Sequence, residues 1–283
     1  MEEIIVILGG IKMAEGEGET EIFYPKEIMT LQLHKPCKIA TIRVEIDPEA
    51  YYKVGILHDL SENFYVHGIN ILGVYSTQYP DQYGYITFFV DVTQVAEKVL
   101  DEVSKSLRGI DGVVDVMVYV SPVEGVAVDP KTMPLAMGSR AIILMKHSFK
   151  CIVEEFHKRR WWLLLNALGK EIGKAGFRDH ERFVGRDIDK LFKMAEIRFS
   201  VSGFGFWETV KADVDSGEFI IRVHHSIECD IGLEIEGYTG SHFVRGMIEG
   251  WLMELMGKSD VTGFEAKCLA RGDPYCEFHF KIK

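Results

Sequence analysis

The chain has 283 residues, of which 47% are hydrophobic and 27% charged, so it can bury the cores of two domains and has no low-complexity tract. Its formal net charge of −11 opposes a phosphate backbone, and no helix-turn-helix or basic stripe offsets it; no direct nucleic-acid partner is expected. Met1-Glu2-Glu3 lacks the basic start of a signal peptide and no apolar run reaches spanning length, so a cytoplasmic location and no membrane partner are expected.

The segment 1–37 reads as an irregular lead. Its Leu8-Gly9-Gly10-Ile11 stretch lacks the spacing of a nucleotide loop. From Ile39 to Val44 the residues alternate as in a strand, and Tyr51 to Tyr65 carries helical apolar spacing at Val54, Leu57, Leu60 and Phe64. Ile69 to Ser76 and Tyr85 to Val90 read as strands, Val92 to Leu107 as a helix, and Val113 to Val120 as a strand. The expected order is βαββαβ. With Val54-Gly55-Ile56-Leu57 opening the first helix and His67-Gly68-Ile69-Asn70-Ile71 entering the second strand, residues 38–121 resemble an ACT domain, a ferredoxin-like fold. The resemblance implies side-by-side pairing in a homodimer. It also implies a possible amino-acid effector at a pocket bordered by Gly55, Ile56, Leu57 and Asn70.

A connector over 122–135, bearing Pro122 and Pro134, precedes a second α+β domain over 136–283. Helical spacing runs through Ser139 to His157 and Trp161 to Ala175. The run Trp161-Trp162-Leu163-Leu164-Leu165 is too short to span a membrane and reads as a buried helix face. Asp187 to Ile197 follows as a helix, and Arg198 to Val214 and Glu218 to Ile227 as strands. His242 to Met256 is a helix in which Gly246 and Gly250 allow a close neighbour. The chain then closes in a hairpin around Arg271-Gly272-Asp273-Pro274. A pairing centred near Gly272 sets Cys268 opposite Cys276, with Phe264, Ala266, Phe278 and Phe280 sharing their parity.

That arrangement suits a metal or a disulfide. Five cysteines do not make a secreted disulfide framework, and a reducing compartment favours the metal. Cys37 and Cys151 read as buried thiols. Cys229 reads as a core cysteine with the capacity to substitute as a ligand. Glu265 and Cys268 are three apart, so both reach one ion only if the strand ends or bulges between them.

The string Gly240-Ser241-His242-Phe243-Val244-Arg245-Gly246, with Glu265-x-x-Cys268, Gly272 and Cys276-x-Phe278, resembles the 4-vinyl-reductase domain over 136–283. Ala167-Leu168-Gly169, Gly173 and Gly176 agree. The resemblance implies a hydrophobic small-molecule pocket beside a zinc site. The implied ligand set is His242 (or Ser241, if the alignment slips by one), Glu265, Cys268 and Cys276, with His242 standing where relatives carry cysteine. Four protein ligands close the coordination sphere, so the zinc is expected to be structural. Pocket candidates on the middle strands and flanking helices are Phe199, Phe204, Phe206, Trp207, Phe219 and Ile221.

No nucleotide fingerprint, iron–sulfur spacing or nucleophile with a recognisable base is present. The expected function is therefore a non-enzymatic small-molecule sensor or regulator. The alternative is a reductase, or an accessory protein, acting on a vinyl-bearing tetrapyrrole.

Overall fold

A computed structural model describes residues 31–78, 83–130, 134–136, 139–238 and 240–282. The lead, with its Gly9-Gly10 pair, lies largely outside the described residues. The chain divides into two compact units, Met1–Ile142 and Ile143–Lys283.

In the first unit the elements run β1 (Leu31–Leu33), β2 (Ile39–Ile46), α1 (Pro48–Tyr51), α2 (Ile56–Val66), β3 (Asn70–Thr77), β4 (Gly84–Asp91), α3 (Glu97–Arg108), β5 (Val113–Val120), β6 (Val126–Val128), β7 (Leu135–Ala136) and β8 (Ser139–Arg140). The βαββαβ order is present, and its sheet is antiparallel in the order β3-β4-β2-β5. Alternation explains the layering. Ala40, Ile42, Val44 and Ile46 share one core with Phe88, Leu60, Phe64, Val103 and Leu107 from the facing strand and helices. Ile39 and Phe89 point the other way and pack with Ala127 of β6, which pairs with β1. Part of the expected connector is thus a strand, and it is held to the sheet where Thr41 Oγ1 donates to the Val128 carbonyl at 2.6 Å.

The expected helix from Tyr51 to Tyr65 is two helices. Asp47 caps the first, accepting from the Glu49 and Ala50 amides at 2.9 Å, and Pro48 occupies its first turn. Gly55, at φ 98°, takes a left-handed conformation that interrupts the helical path before α2 begins.

The second unit contains α4 (Lys146–Arg159), α5 (Trp162–Val184), α6 (Ile188–Val201), β9 (Phe206–Asp213), β10 (Glu218–His224), α7 (Ile227–Gly232), α8 (His242–Met256), β11 (Val261–Lys267) and β12 (Cys276–Ile282). The four strands form one sheet in the order β11-β12-β10-β9. Two expectations shift here. The strand assigned from Arg198 begins at Phe206, because α6 carries its buried stripe of Leu191, Phe192, Ala195 and Phe199 on to Val201. The helix assigned from Ser139 begins at Lys146.

Helices α5 and α8 pack backbone to backbone. A Cβ on Gly173 would stand 1.9 Å from the Met247 carbonyl oxygen, and one on Gly250 would stand 2.0 Å from that of Lys170. Gly169 and Gly246 meet Phe243 and Asn166 in the same way at 2.2 Å. Each helix therefore contributes two glycines four residues apart, and the contact is reciprocal. This clasp places the start of α8 against the start of α5.

Candidate metal centre and cavity

The terminal hairpin decides the site through a single extra residue. Phe264 pairs with His279 and Glu265 with Phe278, after which the register slips so that Lys267 pairs with Glu277. A bulge of this kind reverses parity along the strand. Phe264, expected to face inward with the cysteines, is 60% exposed and stacks on His279 at 5.2 Å. Glu265 turns inward instead and joins Cys268, which removes the objection that residues three apart face opposite sides.

Ligand atoms of Cys229, Glu265, Cys268 and Cys276 all lie within 4.8 Å of one another. The Cys229 sulfur is 3.6 Å from that of Cys268 and 3.4 Å from that of Cys276. A disulfide needs about 2.05 Å. Four ligands about 2.3 Å from a tetrahedral ion are spaced at about 3.8 Å, close to what is seen. The three cysteines are fully buried, and Glu265 Oε1 is buried with no hydrogen-bond partner. A buried carboxylate oxygen without a donor is costly unless a cation meets it. This donor set of three thiols and one carboxylate fits a zinc-type ion, and its borderline-soft character suits sulfur and oxygen together.

By themselves, the surrounding protein groups favour thiolate at Cys268 alone, and Cys229 and Cys276 are both pushed up. Hydrogen bonding from Cys229 and then Cys276 holds the Cys268 sulfur well below the ordinary thiol range, while the same bonds push Cys229 up. The Leu269 amide donates to Cys276 Sγ at 3.4 Å, and the Ser241 hydroxyl lies 2.9 Å from Cys229 Sγ. Burial, with the Cys268 charge beside it, pushes the Glu265 carboxyl up to about 7. Its Oε2 accepts from the Ser241 amide at 3.0 Å.

His242 is not a member of this group. It is the first residue of α8, and its ring stacks on Trp162 with centroids 4.7 Å apart and planes 19° apart. Ser241, the preceding residue, faces the thiols, and the third sulfur comes from Cys229 on α7. Cys229, expected as a core cysteine able to substitute as a ligand, is a member of the group: the strand expected through Ile227 ends at His224, and a short helix turns the thiol inward. Its neighbour Glu228 carries no local sequence signal for its role. Fully buried, Glu228 accepts from the His242, Phe243 and Val244 amides at 2.8, 3.0 and 2.8 Å and from the Tyr238 hydroxyl at 2.5 Å. Its carboxylate caps α8, satisfying amides that have no partner within the helix.

A cavity of about 100 Å³ lies between α5, α6, α8 and β9. Phe199, Phe204 and Trp207 line it together with Met247, Trp251 and His180. The Trp251 indole N–H donates to His180 Nδ1 at 3.1 Å, so the neutral ring carries its proton on Nε2. That Nε2 is buried and has no partner. Burial, reinforced by the Arg198 charge, lowers the His180 pKa to about 4, so the ring is neutral near pH 7. His180 therefore holds one unmatched donor beside a largely apolar cavity whose lining also includes Arg198 and Ser202. Nothing in the local sequence marked it, since its partner is 71 residues away.

The other pocket candidates sit elsewhere. Phe219 and Ile221 are core residues of β10, with Phe219 stacked on Phe192 at 6.1 Å. Phe206, one residue from Trp207 on β9, meets His225 edge-on. In the first unit Ile56 belongs to the core, Leu57 and Asn70 are exposed, and Gly55 has open space around it. Cys37 is half-buried and Cys151 exposed, which corrects the expectation that both are buried.

No protein-family model matches the chain. An uncharacterised protein of Methanocaldococcus jannaschii is 34% identical over 116 residues, which is 41% of this chain; the match spans 62% of that relative's length. Among solved structures, the chain is similar to the phenol-responsive sensory domain of the transcription activator PoxR with phenol. Identity is 18%, coverage 53% of this chain and 84% of that one, and the TM-score 0.47. It is also similar to a vinyl-4-reductase family protein of Methanocaldococcus jannaschii, at 19% identity, 52% and 86% coverage and a TM-score of 0.35.

Proposed function

We propose that the second unit is a small-molecule-binding module of the 4-vinyl-reductase type, braced by a structural zinc ion on Cys229, Glu265, Cys268 and Cys276. The observation that carries the reading is the largely apolar cavity whose lining includes His180, a ring with a buried and unmatched Nε2–H. A buried donor without an acceptor costs about 1–3 kcal/mol, and a ligand oxygen there relieves it. The chamber is on the scale of one aromatic ring. The ligand class is therefore a small, largely apolar molecule with one hydrogen-bond acceptor. Zinc, when bound, supplies a closed four-ligand crosslink and no open position for chemistry. The chain's own residues do the rest: the cluster ties α7 to the hairpin, and Glu228 and Glu265 hold the first turn of α8. That helix carries Met247 and Trp251 into the cavity wall.

The first unit is proposed to serve as an ACT-like pairing module, making the chain a homodimer in the cytoplasm. Its βαββαβ order supports that assignment, as do edge strands β3 and β5, each paired on one side among the described residues.

The test of the ligand reading is calorimetric titration with phenol, anisole and toluene. Phenol and anisole should bind about tenfold tighter than toluene, and His180→Leu should erase the difference. Equal affinities in the unaltered protein would reject an acceptor-bearing ligand.

A further inference from the structure

The run from Lys158 to Leu165 is not the buried helix face its composition suggests. Arg160, at φ 57°, ends α4 in a left-handed turn, and α5 begins two residues later. Trp162 turns inward, stacked on His242 and edge-on to Tyr238 at 5.7 Å, and Leu165 is buried. These two anchors fix the corner to the body of the unit. The remaining apolar residues stand out: Trp161 is 44% exposed, Leu163 87% and Leu164 49%. Lys158, Arg159 and Arg160 precede them without interruption, all exposed, and the Arg159 guanidinium lies over the Trp161 ring at 4.9 Å. Glu155 pairs with Arg159 and leaves the other two cations.

We propose that this corner between α4 and α5 is a peripheral docking site for a bilayer containing anionic phospholipid. The chemistry is complementary on both counts. Tryptophan beside basic residues suits the headgroup depth of a membrane, where the ring rests among acyl chains and glycerol while the cations meet phosphates. The centre of a protein–protein interface also favours tryptophan and arginine, but it is depleted in lysine and needs a shaped partner. A chain with a net charge of −11 is repelled by an anionic surface as a whole. The attraction works because salt confines each charge to within about 8 Å, leaving the local cations to act alone. The expectation of no membrane partner rested on span length, and no described helix is long and apolar enough to cross a membrane. Lying on the surface requires no span.

The corner also has an end point. Trp161, Leu164, Leu168 and Ile172 follow each other at helical spacing along about 16 Å of α5, and half-exposed Ile172 lines the cavity. An apolar ligand dissolved in lipid would meet the stripe before the chamber. This part rests on the proposed cavity function. The docking itself is read without any cavity ligand, so the two fail separately.

The experiment is co-sedimentation of the full-length chain with phosphatidylcholine vesicles with and without phosphatidylglycerol. Binding should need phosphatidylglycerol and should weaken as salt rises. Removing one cation is expected to lower partitioning about fivefold, so the pair Lys158→Gln and Arg160→Gln should lower it about 25-fold. Leu163→Ser should weaken binding at every salt concentration, and its exposed position lets the variant fold, as an unchanged melting curve would verify. Lys193→Gln, exposed on α6, should change nothing. Absence of vesicle binding, or binding unaffected by the corner variants, would overturn the proposal. So would conversion of a dimer to a monomer by Leu163→Ser in light scattering, which would make the corner a contact between two copies.

Discussion

Trp251 and His180 meet at 3.1 Å across the clasped pair α5 and α8, and the direction of that hydrogen bond decides which nitrogen of the neutral imidazole carries the proton. A nitrogen that accepts from an indole cannot also carry the proton of a neutral ring. The proton is therefore on Nε2, which is buried and has no partner, in a ring that helps line the cavity.

The burial of His180, with the Arg198 charge beside it, also makes a stability statement. His180 is held at about 4 in the folded chain against about 6.5 when unfolded, so the unfolded state binds the proton first. Stability contributed by the neutral ring is intact above about pH 6.5 and is lost as pH falls toward 4, by about 3 kcal/mol in all. His180→Gln keeps an acceptor for Trp251 and does not titrate. Denaturant unfolding from pH 7 to 4 should show a shallower decline in this variant, and an unchanged decline would contradict the assignment.

The ligand set separates two substitutions that composition alone does not. Cys229→Ser should lower zinc from about one ion per chain to a small fraction and reduce the melting temperature, because a structural metal is coupled to folding. His242→Ala should leave the zinc content near its original value, since its ring lies on Trp162. Elemental analysis of chelator-free preparations distinguishes them. Loss of metal in His242→Ala with retention in Cys229→Ser would restore His242 as the ligand.

Glycines on one face and another of α5 should respond with opposite sign. Gly173→Ala places a Cβ 1.9 Å from a backbone oxygen that cannot move aside, so a loss of about 3 kcal/mol or more is expected. Gly176→Ala meets nothing within 4 Å and replaces the most flexible residue in a helix interior, so a gain of about 0.5–1 kcal/mol is expected. Chemical unfolding of the two variants measures both.

Glu228 offers a test of the cap that joins metal centre to cavity wall. Glu228→Ala would leave three amides and a tyrosine hydroxyl without their buried acceptor, at an expected cost of about 3 kcal/mol or more. Glu228→Gln keeps one acceptor oxygen and should cost about half as much. A surface residue would show neither effect.

Much of this protein was legible from residue order alone. Alternation at Ile39–Ile46, helical spacing in His242–Met256 and the paired glycines of α5 and α8 are local statements about period and size, and folding preserves them. Glu265, Cys268 and Cys276 could be grouped because a hairpin brings near neighbours together. What lay beyond local order was decided in three dimensions. One extra residue in β11 reversed which side Glu265 and Phe264 face. A short helix following β10 brought in Cys229 from 39 residues upstream of Cys268, and placed Glu228 under the start of α8. The clasp of four glycines set His180 beside Trp251 and left its other nitrogen buried without a partner. The run from Trp161 to Leu165 has the composition of a core stripe, yet only Trp162 and Leu165 turn inward, while Trp161 meets Phe156 and Arg159 at the surface and Leu163 and Leu164 are exposed. Periodicity states which residues share a face. Which face is covered, and by what, depends on segments far apart in the chain.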